Sequence, residues 1–552
     1  MRVKFCKFAT VKVIPMKKLL ICSAFMAGSL TAMAGGLLTN TNQNAHFLRQ
    51  MSQEGIIDIN GIYANPAGTA FLSDGFHLNL NYVITQQSRD VTATFDAFKY
   101  GARNNGQTTK KFHGHAIAPI VPSFMFSYNK AKWSVMASFA FTGGGGKCQY
   151  DDGLGSFESQ AALLPLLGQQ MGITKYDIDS YMKGRSYYLG LTVGGTYKIL
   201  PNLAASLGLR GIYATTHYEG YAKNIKINNP QNPTQMASPA DLRDMCAAAA
   251  AQYGQMAIEA TDLAQKQQYA QLAQSYKENT IKMGVLAVAT QDITMECDQT
   301  GFGVAPIIGI DWKINDQWNV AARYDFRTRL SLKNKAINSQ SAEAIEALGA
   351  YKDGLKVRAD MPAILAAGAQ YKPAEWVRIN ASGKYHFDKQ AKAYGDAQKL
   401  LDHGTWELAA GAEFDFCKCW TVSASWQTTN YGVNDKYIKD TNIICSSNSI
   451  GLGLRVQVAP RCSLDFGYMQ TFYQSYDKQT QDFNGVAATA TKVLAGLATY
   501  GIDPATQPEA YQQAVQGAQA QVSALAAQGA FAGSEHFTRK NWVLGVGANI
   551  NF

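Results

Sequence analysis

Asn541-Trp542-Val543-Leu544-Gly545-Val546-Gly547-Ala548-Asn549-Ile550-Asn551-Phe552 is the stretch that decides the fold. Successive side chains of a strand point to opposite faces. Trp542, Leu544, Val546, Ala548, Ile550 and Phe552 therefore form one apolar stripe, while Asn541, Gly545, Gly547, Asn549 and Asn551 form the other. A strand that is apolar on one face only suits a wall with lipid outside and a polar lumen inside.

The same period recurs upstream. In 376–387, Trp376, Val377, Ile379, Ala381, Tyr385 and Phe387 alternate with Arg378, Asn380, Ser382, Lys384 and His386. In 318–330, Val320, Ala322, Tyr324 and Phe326 are predicted to face outward, and Asn319, Arg323, Asp325, Arg327 and Arg329 inward. Trp420, Val422, Ala424 and Trp426 alternate with Thr421, Ser423, Ser425, Gln427 and Thr429. A chain whose last strand closes on Phe552 resembles bacterial outer-membrane β-barrels, in which that strand is the assembly signal.

Connections between the strand-like runs alternate in length. Short turns are read at 129–132, 200–202, 315–317, 372–375, 417–419 and 459–461. Long connections are read near 98–113, 143–185, 223–299, 333–360, 388–404, 430–448 and 474–536. Strict alternation of short and long linkers predicts an all-β, up-and-down transmembrane antiparallel barrel of about 14 strands. Residues 238–290 and 485–532 are Ala- and Gln-rich, which favours helix, so the larger external loops are expected to be helical. In 341–357, Ala344, Ile345, Leu348, Leu355 and Val357 would give an amphipathic gate an apolar face at the mouth.

At the other end, Met16-Lys17-Lys18 precedes an apolar run to Leu30 and Ala32-Met33-Ala34, the pattern of a signal peptide, with Met16 as the working start. The expected division is 1–34 signal peptide, 35–74 an irregular amino-terminal hatch or plug, and 75–552 the barrel, with its largest loops at 223–299 and 474–536. Mean hydropathy is −0.17, and no apolar run after Gly35 has the length of a transmembrane helix. Aromatic residues at 11% and 49 glycines fit a barrel with aromatic girdles and small lumen residues. The net charge of +9 is diffuse, which argues against a nucleic-acid partner. Seven cysteines follow the signal peptide; Cys246 with Cys297, and Cys417 or Cys419 with Cys462, are candidate disulfides. Their spacing fits no metal site, the histidines are scattered and no catalytic set can be assembled, so neither an enzyme, a metal nor a cofactor is expected.

Within the hatch, Pro66 keeps Asn65 out of the helical region, so Asn65 caps a short helix that Pro66 starts, followed by Ala67 and by Gly68 at a tight exit. Asn65-Pro66-Ala67-Gly68 directly before a barrel resembles the FadL/TodX family of outer-membrane transporters for hydrophobic compounds. Gly301-Phe302-Gly303 leading through Ile310, Trp312 and Trp318 to Tyr324, Arg327 and Leu332 is similar too, as are Met361-Pro362 with Gly368, Tyr371, Trp376 and Tyr385. The resemblance implies a monomeric 14-stranded barrel in the outer membrane, in contact with its lipid and lipopolysaccharide. It also implies passive uptake of long-chain fatty acids or other hydrophobic small molecules, with sideways release at a kinked third strand. Here that strand is read as about 133–142, with Gly143 and Gly144 at its end as candidate opening residues. For a carboxylate head group the inward cations Arg327, Arg329, Lys384 and Arg210 are the candidates. Lys384 is expected near Glu407, and Arg378 near Glu413 and Asp415, whereas Arg327 and Arg329 have fewer evident partners. A general diffusion porin and a haem or adhesin-type receptor are the competing readings.

Overall fold

The computed structural model describes residues 44–338 and 346–552. The expected signal peptide, residues 35–43 of the expected hatch, and Ile345 lie outside the described residues, as does the side chain of Leu348. Among those described, fourteen antiparallel strands close a barrel in chain order. They are β1 (Gly75–Phe95), β2 (Thr109–Lys130), β3 (Trp133–Tyr150), β4 (Tyr176–Leu200), β5 (Leu203–Asn229) and β6 (Ile293–Lys313). β7 is split into Trp318–Asp325 and Ser331–Asn338, and β8 into Lys356–Arg358 and Ile364–Ala374. β9 (Val377–His386), β10 (Trp406–Cys417), β11 (Trp420–Asn430) and β12 (Ser447–Ala459) follow. β13 comprises Cys462–Tyr473 and Tyr476–Thr480, and β14 is Gly533–Asn551. Closure is between β1 and β14, from His77 opposite Asn551 to Phe95 opposite Gly533.

Alternation sets the two faces of this wall. Asn79, Asn81, Ser423, Ser425 and Asn549 are buried inside, while Leu80, Trp426, Leu452 and Leu544 are exposed outside. Trp133, Tyr197, Trp312, Trp318, Trp376 and Trp420 lie outward at the short-turn rim, and Trp318 stacks on Tyr371 at 4.4 Å. Rings with one apolar and one polar edge favour a membrane–water boundary, so this is an aromatic girdle. No helix among the described residues is long and apolar enough to cross a membrane.

The strands are longer than their sequence pattern predicts. β4 has 25 residues and β5 has 27, against about 9–11 needed to span a bilayer. Their upper halves continue as paired ladder beyond the membrane, where polar side chains on the outer face carry no penalty and hide the strand signal. β3 likewise continues through Gly143 and Gly144 to Tyr150, which corrects the reading that the strand ended before them. In the other direction, the predicted strand 318–330 breaks after Asp325. The Asp360 carboxylate accepts a hydrogen bond from the Leu330 N–H at 3.0 Å, and Thr328 bridges to Met361 instead of continuing the ladder to β6.

The long loops carry α2 (Gly155–Gly168), α3 (Pro239–Glu259), α4 (Leu263–Ala289), α5 (Val486–Ala498) and α6 (Pro508–Ala527), after a short α1 (Ala45–Arg49) inside the barrel. The α3–α4 pair projects as a largely exposed hairpin. α2, by contrast, sinks into an apolar cap over the mouth, with Phe157, Leu163 and Leu164 packed among Phe95, Phe98, Phe112 and Phe483. Its Glu158 accepts hydrogen bonds from Lys110 at 2.6 Å, Asn104 at 2.7 Å and the Tyr176 hydroxyl at 2.9 Å, and Asp440 receives the Ser156 N–H at 2.8 Å. The gate expected at 341–357 takes another form. Glu346–Tyr351 is a 3₁₀ turn, Leu355 is half-buried in a loop, and Lys356–Arg358 pairs with Ser331–Lys333 as strand, because cross-strand partners outweigh helical spacing there. All seven cysteines among the described residues are free thiols, which corrects both disulfide candidates; Cys297 is buried in the wall, its thiol directed at the Tyr351 carbonyl.

Candidate functional site

The lumen is blocked by residues 44–74. α1 is capped by Asn44, whose side chain accepts the Phe47 N–H at 2.6 Å, and it rests on wall positions that have no side chain. A Cβ added at Gly451 would come within 2.4 Å of the Leu48 carbonyl oxygen, and one at Gly467 within 2.4 Å of the Ala45 carbonyl oxygen. Glycine at these sites gives the hatch its seat. Gly451→Val with Gly467→Val should therefore expel α1 without removing any hydrogen bond of the barrel ladder. The expected result is protease cleavage within 44–74 in a barrel that still migrates as folded before heating; protection equal to the parent would refute the seat.

Ion pairs then fasten the plug. Arg49, with its side chain 1% exposed, contacts Glu413 at 2.6 Å and Asp465 at 2.9 Å, and donates to Ser423. Arg455 reaches Asp58 at 2.7 Å and Asp465 at 2.9 Å. His46 stands 3.6 Å from Glu413. Asn65 caps the 3₁₀ turn Pro66–Phe71 by accepting the Gly68 N–H at 3.2 Å, and its amide donates to the Asp311 carboxylate. Ala67 is fully buried. Gly68 lies within the turn rather than at its exit, where a Cβ would meet the Asn65 amide nitrogen at 2.6 Å and Asp311 at 3.1 Å.

The cations singled out from the sequence are placed as follows. Arg210 pairs with Asp325 at 2.8 Å, bonds Thr192 at 3.0 Å and lies 4.9 Å from the Tyr63 ring centre. Lys384 is held between Glu54 and Glu407, each at 3.3 Å. Arg378 pairs with Asp415 at 2.5 Å and Glu413 at 3.3 Å. Arg327 donates to the Gln390 carbonyl at 2.6 Å and stands 3.8 Å from Asp360. Arg329 lies in the β7 break and is exposed. The structure gathers Arg210 and Lys384 around the plug and leaves Arg327 and Arg329 in the loops.

External to the plug is a cavity of about 190 Å³, with Phe47, Val121, Phe141, Tyr187 and Met469 among its apolar lining and Arg89, Lys147, Gln427 and Arg539 among its polar lining. One side of it is an interruption in the wall. β2 and β3 pair up to Phe124 opposite Phe139 and resume only at His115 opposite Gln149. On the β2 side the unpaired run is Ala116-Ile117-Ala118-Pro119-Ile120-Val121-Pro122-Ser123, in which two residues lack an N–H. On the β3 side Gly144 and Gly146 take φ of +100° and +66°, and β3 bulges against β4 at Gly143 and Gly146. A Cβ on Gly144 would lie 2.3 Å from the Ser186 carbonyl oxygen. Gly143, Gly144 and Gly146 all border the cavity, as do Ile117, Ile120 and Val121. Pro119 and Pro122 disfavour continuous pairing by residue type alone, although the reading from sequence places the opening only at Gly143 and Gly144. The arginines Arg89 and Arg539 carry no sequence signal, because nothing local distinguishes them from other inward cations. Among the described residues no group of His, Cys, Asp and Glu could hold a metal ion.

The fold is thus a closed antiparallel barrel with residues 44–74 packed inside it, an internal cavity, and a gap in the β2–β3 pairing beside that cavity. Solved structures share this barrel fold. The chain is similar to a Pseudomonas aeruginosa FadL homologue at 13% identity and a TM-score of 0.53, over 93% of this chain and 99% of that one. It is similar also to the Pseudomonas putida toluene transporter TodX at 10% identity and a TM-score of 0.50, over 94% of this chain and all of the other. No family model matches the sequence. No curated protein matches it either.

Proposed function

We propose that this chain is a passive transporter of the bacterial outer membrane that takes up hydrophobic small molecules, long-chain fatty acids foremost, and releases them sideways between β2 and β3. The carrying observation is that the internal cavity borders the unpaired stretch of wall. An apolar solute crosses a polysaccharide-covered leaflet poorly, and a lined cavity that opens laterally supplies a desolvated route into the membrane's own hydrocarbon. The plug argues against a general diffusion porin, since a water-filled pore has no use for a buried seal. The fold suits a monomer surrounded by outer-membrane lipid and lipopolysaccharide, with residues 35–74 as the hatch. In this reading Lys384 and Arg210 fasten the hatch, and Arg327, Arg329, Leu348 and Leu355 belong to the approach from outside.

Native mass spectrometry of the purified barrel after exposure to equimolar oleate, toluene and haem tests the reading. Retained oleate is the expected result. Retention of toluene alone would keep hydrophobic uptake and remove fatty acids. Retention of haem alone would favour the receptor reading, and retention of nothing, with steady ion conductance in bilayers, would restore the porin.

A further inference from the structure

Arg89 and Arg539 are direct cross-strand partners in the β1–β14 seam, and both line the cavity. Like charges directly opposite one another destabilise a sheet unless something offsets them. Elsewhere in the lumen that offset is present: Arg49, Arg210, Arg378, Arg455 and Lys384 each meet a carboxylate within 3.3 Å. Among the described residues neither Arg89 nor Arg539 has a carboxylate within 4.0 Å. Their shared neighbour is neutral, since both donate to the Gln87 side-chain oxygen, at 3.5 Å and 3.3 Å. Arg539 also donates to the Ile443 carbonyl at 3.4 Å and lies 4.6 Å from the Tyr473 ring centre, and the Nε of each arginine is buried without a partner. Glu407 lines the same cavity but is committed to Lys384 at 3.3 Å and His386 at 3.8 Å.

We infer that Arg89 and Arg539 form an oxyanion site that holds the head of an amphiphile while its tail occupies the apolar part of the cavity. This inference rests on the transport reading and deepens it, because it selects anionic amphiphiles over neutral hydrocarbons. Two guanidinium forks can bond several oxygens of one head at once. Register places the site at the external end of the wall interruption. Arg89 is opposite Gly114, two residues from Ala116 where the unpaired run begins, so a tail directed away from the arginines passes Val121 and Phe141. Lys147 borders the cavity on the β3 side and adds a third positive charge. The shared chemistry is a terminal oxyanion, so carboxylate, sulfonate and phosphate monoester heads are all admissible.

The test uses the full barrel in a neutral detergent and a chain-matched set: decanoate, decane sulfonate, decyl phosphate and decanol. Dissociation constants are measured for the parent and for Arg89→Gln with Arg539→Gln. At least one anion is expected to bind the parent about ten- to a hundredfold more tightly than decanol. That advantage should vanish in the double variant while decanol binding stays unchanged, and the order among the three anions identifies the head. Anion and alcohol binding equally well in the parent would overturn the oxyanion site and leave hydrophobic uptake standing, whereas failure of all four to bind would overturn both. Should the Gln pair fail to fold, Arg89→Lys and Arg539→Lys singly replace it; unchanged anion preference in both would refute the forked site.

Discussion

Replacing the kink of β3 with residues that can pair is expected to abolish uptake. The variant combines Gly143→Val, Gly144→Thr, Gly145→Val and Gly146→Thr with Pro119→Val and Pro122→Thr. It restores two N–H donors to β2 and removes from β3 the glycines that permit φ above zero. β-Branched residues favour pleated pairing, so the two strands should zip from Phe124–Phe139 toward His115–Gln149. About four new ladder bonds, at about 1 kcal/mol each, would oppose reopening by about 4 kcal/mol. That corresponds to about a thousandfold in rate. The measurement is transfer of a fluorescent fatty acid into the lipid of proteoliposomes, with heat-modifiable migration as the check on folding. A folded variant that transfers at the parental rate would show that ligand leaves by another route.

The second large effect is expected at Arg49. Arg49→Ala would leave Glu413 and Asp465 facing each other's neighbourhood in a buried site with their shared counter-charge gone; Arg378 and Arg455 keep only their own contacts to them. Breaking a buried ion pair by removing one partner costs about 3–5 kcal/mol. The barrel ladder itself is untouched, so the loss falls on docking of residues 44–74. Single-channel recording should show a steady conductance in place of a sealed barrel. A closed barrel with parental resistance to proteolysis within 44–74 would mean that the glycine seat alone retains the hatch.

The two expectations differ in how far they could be reached from sequence. Alternation in 376–387 and 420–429 is a local property, so the strands, their facing and the rank of short turns were readable one segment at a time. Strand ends were less legible. β4 and β5 run beyond the membrane, where the outer face is wet and the period fades into loop composition. β7 breaks after Asp325, where Asp360, from the gap between the two parts of β8, takes the Leu330 N–H. The Asn65-Pro66 turn was legible because a cap and an imposed φ act within a few residues. What it is pressed against, the Asp311 carboxylate, was not.

By itself, then, the sequence determined a barrel of one-sided strands, its short and long loops and an irregular segment ahead of it, since period and turn chemistry are set by neighbours along the chain. The tertiary structure alone decided which charges cancel. Arg49 meets Asp465 across 416 positions, and Arg89 meets Arg539 only because the last strand closes on the first. Whether an inward arginine is a neutralised strut or an open anion site depends on register between strands remote in sequence, a sum of ladder bonds, packing and hatch seating that no single stretch encodes.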